Sequence, residues 1–269
     1  MTNIDPMEIL DFTTDLARQA GQLVFDHRSS SGITIEYKES IEMVTSADLE
    51  ADRFICSQIA DRFPTHQILS EELAPHLEDR ESLYEPLWII DPIDGTVNYA
   101  YHHYQVAISI AYAEAGSVRA GVVHCPFLGE TFTAAKGKGA RLNGTCIAAS
   151  SPTDLRNALI ATGFPYDKSA VAPLVSKLHK ILECCRDVRR TGSAALDLCW
   201  VAMGRLDGYY ESLKPWDQAA ASLIATEAGA GRGRWQPSTS DLPDDIDGSD
   251  LVVASEAILE DLIGLLARA

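Results

Sequence analysis

Apolar positions run along this chain in two alternating rhythms. After Asp5, Pro6 and Glu8, which read as a capping box, Ile9, Leu16, Ala20 and Val24 recur at helical spacing. Ala51, Ile55, Ile59 and Phe63 do the same behind Thr45-Ser46-Ala47-Asp48. A β segment over Ile33 to Tyr37 separates these helices, and strand-like runs follow around Ile68 and over Leu87 to Ile90. Tyr104 to Tyr112 and Val118 to Val123 flank Ala115-Gly116 and predict a hairpin. Further strands are expected at Thr131 to Ala135, Ala158 to Thr162, Leu206 to Glu211 and Leu251 to Ala254. Helices are expected at Ala170 to Cys184, Ser193 to Met203, the segment opening at Trp216, and Glu256 to Ala267. Strands mixed with helices in this way predict an α/β fold of layered sheets, not a bundle or a β-sandwich.

One strand ends differently from the rest. Trp88-Ile89-Ile90 stops in Asp91-Pro92-Ile93-Asp94-Gly95-Thr96. Pro92 has no N–H to donate and is expected to end the ladder, which would leave the Ile93 carbonyl without a partner. Asp91 and Asp94 then sit close enough to share a metal ion, with that carbonyl as a further oxygen ligand. Gly95 lets the backbone approach a ligand, and Thr96 opens a helix whose free N–H groups attract an anion. Two carboxylates ~4 Å apart repel by about 4 kcal/mol at an effective dielectric near 20, so the cluster calls for cations. An acidic surface turn capping a helix is the plainer alternative.

Other segments also place acids at element ends. Glu71 and Glu72 close the Ile68 run, Asp48 stands at a helix start, and Asp217 lies in the first turn of a helix that ends at Gly229. Taken singly, Glu71 reads as a solvated acid and Asp48 as a cap.

Taken together, these residues resemble the inositol monophosphatase family of metal-dependent, lithium-sensitive phosphatases. The similarity is carried by Asp91 to Tyr99, by Trp216-Asp217 through Gly229-Ala230 with Ala221 where the family usually has glycine, and by Gly137 to Gly144, and it spans nearly the whole chain. The resemblance implies an αβαβα sandwich, 1–269, of two intimate subdomains, about 1–145 and 146–269, with the site between them. It implies two or three Mg²⁺ ions, one held by Glu71, Asp91 and the Ile93 carbonyl and a second by Asp91, Asp94 and Asp217, with Mn²⁺ as a substitute. By the same resemblance, a metal-activated water held by Glu71 and by Thr96, itself backed by Asp48, attacks phosphorus while Gly95 and Thr96 amides grip the phosphate. Lys38 corresponds to a basic residue often found near the family's site.

The alcohol side is less determined. Relatives acting on inositol phosphate use a glutamate shortly before Trp-Asp, and Glu211 is the natural counterpart. The segment Glu211 to Asp217 is one residue shorter than the common pattern, so Glu211 or Tyr210 takes that place. Ser193 and Ala194 fall where relatives line the pocket. Inositol 1-phosphate leads; histidinol phosphate, fructose 1,6-bisphosphate, NADP, 3′-phosphoadenosine 5′-phosphate, or a non-catalytic regulatory role are the alternatives.

Composition agrees with an enzyme on a small anion. The chain has 269 residues, 46% of them hydrophobic, enough for a sizeable core. Its net charge of −17, from 22 basic and 39 acidic residues, argues against a nucleic-acid partner. No apolar run reaches membrane-spanning length, and Asp5 and Glu8 stand where a signal would be basic, so a cytoplasmic protein is expected. The six cysteines lack metal or disulfide spacing, and Lys136-Gly137-Lys138-Gly139 is not a P-loop. Family members are commonly homodimers.

Overall fold

Adjacent residues on the strands of this chain point into different cores, and that alternation sets the layers. The structure is a computed structural model describing residues 5–30, 34–38, 42–165 and 171–269; the side chains of Ser30, Tyr37, Lys38 and Glu42 lie outside the description. The expected role of Lys38 and the expected element starts at Ile33 and Ala170 therefore fall outside the described residues.

In chain order the elements are α1 (Pro6–Ser30), β1 (Ile35–Lys38), β2 (Glu42–Thr45), α2 (Ser46–Arg62), β3 (Gln67–Ser70), β4 (Leu87–Asp94) and α3 (Thr96–Ala100). Then come β5 (Ala107–Glu114), β6 (Ser117–Cys125), β7 (Glu130–Ala135), β8 (Ala140–Leu142), β9 (Thr145–Cys146), β10 (Leu159–Thr162) and α4 (Val171–Cys184). The chain closes with β11 (Asp187–Arg189), α5 (Ala194–Ala202), β12 (Gly208–Leu213), α6 (Pro215–Glu227), β13 (Ala230–Arg234), β14 (Gly248–Ser255) and α7 (Leu259–Ala267). Strands β1 and β2 pair with each other, β3 to β9 form a seven-stranded sheet in sequential order, and a five-stranded sheet has the order β11-β10-β12-β14-β13.

On β4, Trp88 and Ile90 face the same core as Ile9, Leu16, Ile55 and Ile59, so α1 and α2 cover the outer face of the first sheet. Leu87 and Ile89 face the opposite way, into a core shared with Leu196, Ile224, Tyr209 and Val253. That core belongs to α5, α6 and the inner face of the second sheet. Tyr210, Val252 and Ala254 point outward again, where Ile181 of α4 and Leu262 and Leu266 of α7 cover them. The five layers are thus helix, sheet, helix, sheet, helix: the αβαβα sandwich. A strand covered on both faces is a continuous apolar run, as Leu87 to Ile90 is.

The central layer depends on small residues. Eight consecutive residues of α6, Gln218 to Ala225, are buried, including Ala221. A side chain on Gly121 of β6 would come within 2.8 Å of the Ala220 carbonyl, so the helix lies almost on the strand backbone. The far end of α6 is tied down by the glycine-rich loop after β7. Gly137 and Gly139, both left-handed, donate their amides to the two oxygens of Glu227 at 2.7 and 2.8 Å. Turn geometry therefore accounts for those glycines.

Several expected boundaries move. The first helix starts with Asp5 Oδ1 accepting from the Met7 amide, but Glu8 pairs with Arg62 of α2 instead of reaching back. Strand β5 begins at Ala107, because Tyr104 is exposed and its carbonyl takes the Val106 amide in a turn. The hairpin turn has Ala115 and Gly116 both at positive φ, the twist that two-residue hairpins prefer. Helix α7 begins at Leu259, after a turn in which Ile258 donates to Ser255. The cysteines of the described structure are free. No described helix is long and apolar enough to cross a membrane.

Candidate active site

Strand β4 carries the first acids to the edge of the inner core. Its ladder with β5 runs from Leu87↔Ala113 to Asp91↔Ser109, slips, and resumes at Asp94↔Ala107. Pro92 therefore does not end the strand: its missing N–H falls within a bulge, where no ladder bond is required of it. Within that bulge the Ile93 amide donates to Asp91 Oδ1 at 3.0 Å. The Ile93 carbonyl, expected to lack a partner, lies 3.2 Å from the Thr96 hydroxyl and retains a second lone pair.

Gly95 follows at φ 96°, capping the short helix α3. A Cβ there would meet the Gln105 and Gly192 carbonyls at 2.8 and 3.1 Å. The left-handed backbone and the packing of the chain on itself both require a glycine here, and Gly95 also lines the cavity described below.

Asp94 is fixed from across the molecule. Its Oδ2 accepts from Ser193 Oγ at 2.6 Å and the Ala195 amide at 2.7 Å, and its Oδ1 accepts from the Ala194 amide at 3.2 Å. Ser193 is the N-cap of α5, so the open amides of that helix start converge on one carboxylate. Asp48, at the start of α2, uses Oδ2 to accept the Thr45 amide and hydroxyl and Oδ1 to accept the Thr96 hydroxyl at 3.0 Å. It is thus both a cap and the partner of Thr96. Asp217 stands in the first turn of α6, its Oδ2 accepting from the Lys214 amide at 2.9 Å. Glu71 follows β3, its amide donating to the Ile90 carbonyl at 3.1 Å beside Asp91.

These segments meet around one cavity of about 510 Å³. Glu71, Asp91, Ile93, Asp94, Gly95, Thr96 and Asp217 line it. So do Ser193, Ala194 and Glu211, and Asp48 bonds Thr96 from outside the lining. Alternation along β12 sends Tyr210 outward against Trp235 and Glu211 inward, where Tyr209 donates its hydroxyl to it. Of the two alternatives read from sequence, Glu211 is the one in the cavity.

The electrostatics are those of crowded acids. Burial pushes the Asp91 carboxyl well above the usual carboxylate range, and the charges of Glu71, Asp94, Asp217 and Asp48 push it further. Burial raises Asp94 to about 6, against the hydrogen bonds from Ser193, Ala195 and Ala194. It raises Glu211 to about 7, opposed by the Tyr209 hydrogen bond and the Arg190 charge. Among the described residues, no three His, Cys, Asp or Glu side chains are drawn into a ready-made metal cage. The acids instead stand around a shared space and repel one another through it. A divalent cation relieves that repulsion, and an all-oxygen donor set suits Mg²⁺ or Mn²⁺, so the residues present fit the ion.

Four cavity residues escape the sequence reading. Arg190 holds its guanidinium 5.4 Å from the Phe164 ring centroid. Asp197, buried in α5 and raised to about 8 chiefly by burial, accepts from Thr191 Oγ1 at 2.8 Å. Tyr209 binds Glu211, and Gly163 makes room for it: a Cβ at Gly163 would overlap the Glu211 carboxylate. An acid in the otherwise apolar run Ala194 to Ala202 was the available signal for Asp197; Gly163 gave none.

Known proteins are similar to this chain in sequence and in fold. The inositol monophosphatase family profile matches residues 5–268. The Nus factor SuhB of Escherichia coli K12 is 38% identical over 224 residues, covering 82% of this chain and 83% of that protein. Inositol monophosphatase 3 of Solanum lycopersicum is 37% identical, covering 82% and 84%. The solved Thermotoga maritima IMPase superposes with a TM-score of 0.85 at 32% identity over 97% of both chains. The extragenic suppressor protein SuhB of Bartonella henselae gives 0.88 at 28% identity over 97% and 99%. In sequence and in fold alike, the chain belongs to the inositol monophosphatase family.

Proposed function

We propose that this chain is a Mg²⁺-dependent phosphomonoesterase acting on a small polyol phosphate, with inositol 1-phosphate the leading substrate. The observation that carries the reading is Asp91: a fully buried carboxylate among four other acids, at the wall of a cavity large enough for a sugar-sized ester. A binding module has no need to keep such like charges together.

In this reading Glu71, Asp91 and the Ile93 carbonyl hold one ion, and Asp91, Asp94 and Asp217 hold the other. When bound, Mg²⁺ supplies Lewis acidity for the attacking water and positive charge for the phosphoryl oxygens. The rest is the work of the chain. Thr96 donates a hydrogen bond to Asp48 and turns its oxygen lone pairs toward water, while Glu71 accepts a hydrogen bond from the same water and orients it. Gly95 and Thr96 amides hold the phosphate oxygens by fixed dipoles. Water oxygen bonds to phosphorus as the ester P–O bond breaks in line, and the leaving alkoxide takes up the proton that the attacking water gives up. Glu211 accepts from the polyol hydroxyls beside Ser193 and Ala194.

Two further features belong to the same reading: a cytoplasmic homodimer, and a chain built as two halves, 1–145 and 146–269, that close on the site. The test is Mg²⁺-dependent phosphate release from inositol 1-phosphate, histidinol phosphate, fructose 1,6-bisphosphate, NADP and 3′-phosphoadenosine 5′-phosphate, with and without lithium. Preference for the inositol ester, lost in lithium, supports the reading; preference for another ester keeps the chemistry and moves the substrate. The name Nus factor borne by the SuhB relatives favours a second reading, a regulatory binding protein. Silence across the panel with Mg²⁺ bound would favour that one.

A further inference from the structure

Helix α2 carries a second buried acid that the proposed chemistry leaves unused. Asp52 lies one turn beyond Asp48 and is fully buried. Three donors converge on it. Ser70 Oγ and the Leu73 amide each reach Oδ2 at 2.9 Å, and Cys56 Sγ reaches Oδ1 at 3.1 Å. Burial and the neighbouring Asp52 charge push the Cys56 thiol up to about 12, so it stays protonated and donates.

Ser70 and Leu73 bracket Glu71 and Glu72. The turn they form is closed at its base by the Ser70 amide on the Ala74 carbonyl at 3.0 Å and the Ala74 amide on Ser70 Oγ at 3.2 Å. The Glu71 amide is bonded in turn to Ile90, next to Asp91. A carboxylate is an expensive way to satisfy these donors in a dry interior, where asparagine or threonine would cost less desolvation. What it provides is charge-assisted bonds, shorter and stiffer than neutral ones.

We propose that Asp52 is a positioning residue that fixes Glu71 by gripping both ends of its turn. The inference rests on the functional reading above, in which Glu71 holds Mg²⁺ and orients water. One helix then sets two groups that must agree in position: through Asp48 it places the Thr96 hydroxyl, and through Asp52 it places Glu71. A tolerance near 0.5 Å is what such constellations demand.

The test is calorimetric titration of Mg²⁺ into the intact chain and its Asp52→Asn, Glu71→Gln and doubly substituted variants, with steady-state kinetics on inositol 1-phosphate. Asp52→Asn is expected to bind Mg²⁺ about tenfold more weakly and to lose kcat, with KM at saturating Mg²⁺ unchanged. The double variant should bind no more weakly than Glu71→Gln alone, because the first substitution acts through the second residue. Wild-type Mg²⁺ affinity in a folded Asp52→Asn with only a lowered Tm, or full additivity in the double variant, would overturn the proposal. If Asp52→Asn does not fold, Ser70→Ala, which removes one donor, takes its place: weakened Mg²⁺ binding supports positioning, and unchanged binding refutes it. A wild-type chain that binds no Mg²⁺ sinks the functional reading itself, and this inference with it.

Discussion

Thr96 Oγ1 and Asp48 Oδ1 are 3.0 Å apart although 48 residues separate them in the chain. The other Asp48 oxygen is occupied by the Thr45 amide and hydroxyl. Asp48 is thereby aimed at Thr96, whose hydroxyl lies between the Asp48 carboxylate and the Ile93 carbonyl.

Thr96→Val keeps the shape and deletes the hydroxyl. We expect kcat to fall about 100-fold at saturating Mg²⁺ with KM little changed. Stability should drop by about 1–3 kcal/mol, because Asp48 Oδ1 is left unpaired. Kinetics with calorimetry on the same preparation checks both; wild-type turnover would remove Thr96 from the mechanism.

Asp91→Asn should separate stability from metal binding. The amide oxygen still accepts from Ile93, while a buried charge among acids is gone. In EDTA the variant is expected to melt above the wild type. Added Mg²⁺ should then stabilise only the wild type, by about 2.7 kcal/mol for each site at a hundredfold excess over its Kd. Thermal unfolding with and without Mg²⁺ reads this directly, and an equal Mg²⁺ shift in both proteins would contradict the ligand assignment.

Glu211 gives a pH signature. Burial lifts its carboxyl from 4.5 to about 7, so between those values the folded chain keeps a proton that the unfolded chain has released. Stability from this group is therefore greatest below about 4.5 and falls as pH rises to about 7, for a total of about 3 kcal/mol. In EDTA, Glu211→Gln should lose that decline and be the more stable protein at pH 8. Melting curves from pH 5 to pH 8 decide it; parallel curves for the two proteins would mean that Glu211 carries no such shift.

Gly163→Ala addresses the alcohol pocket without touching any group that holds metal or phosphate. Its methyl group must displace the Glu211 carboxylate. KM for inositol 1-phosphate is expected to rise about tenfold, while turnover of p-nitrophenyl phosphate, which has no ring hydroxyls, stays put; one residual hydrogen bond of this kind is worth about 1.4 kcal/mol. Unchanged KM would place the polyol elsewhere.

Much of this was legible in the sequence where the signal is local. The run from Trp88 to Thr96 showed its acids because an apolar strand and a glycine frame them. The meeting of Glu71, Asp91 and Asp217 was not readable from spacing, since nothing along the chain says which strand end faces which helix; family resemblance supplied it. Strand β13 was missed because Ala230-Gly231-Arg232-Gly233-Arg234 has no apolar alternation, its arginines packing against Asp244 and Asp247 instead. Pro92 misled because a missing donor ends a regular ladder but not a bulged one. Arg190 and Gly163 both act on Glu211, which lies in another segment.

Helix α6 begins with Asp217 in the cavity and ends with Glu227 clamped by Gly137 and Gly139. With both ends anchored, its length becomes a gauge. Removing or adding one residue between them would rotate the two acids relative to each other by about 100°. Either the clamp would open or Asp217 would swing out of the cavity. A single-residue insertion or deletion within this helix should thus be rejected, since one of its two anchored acids must leave its place.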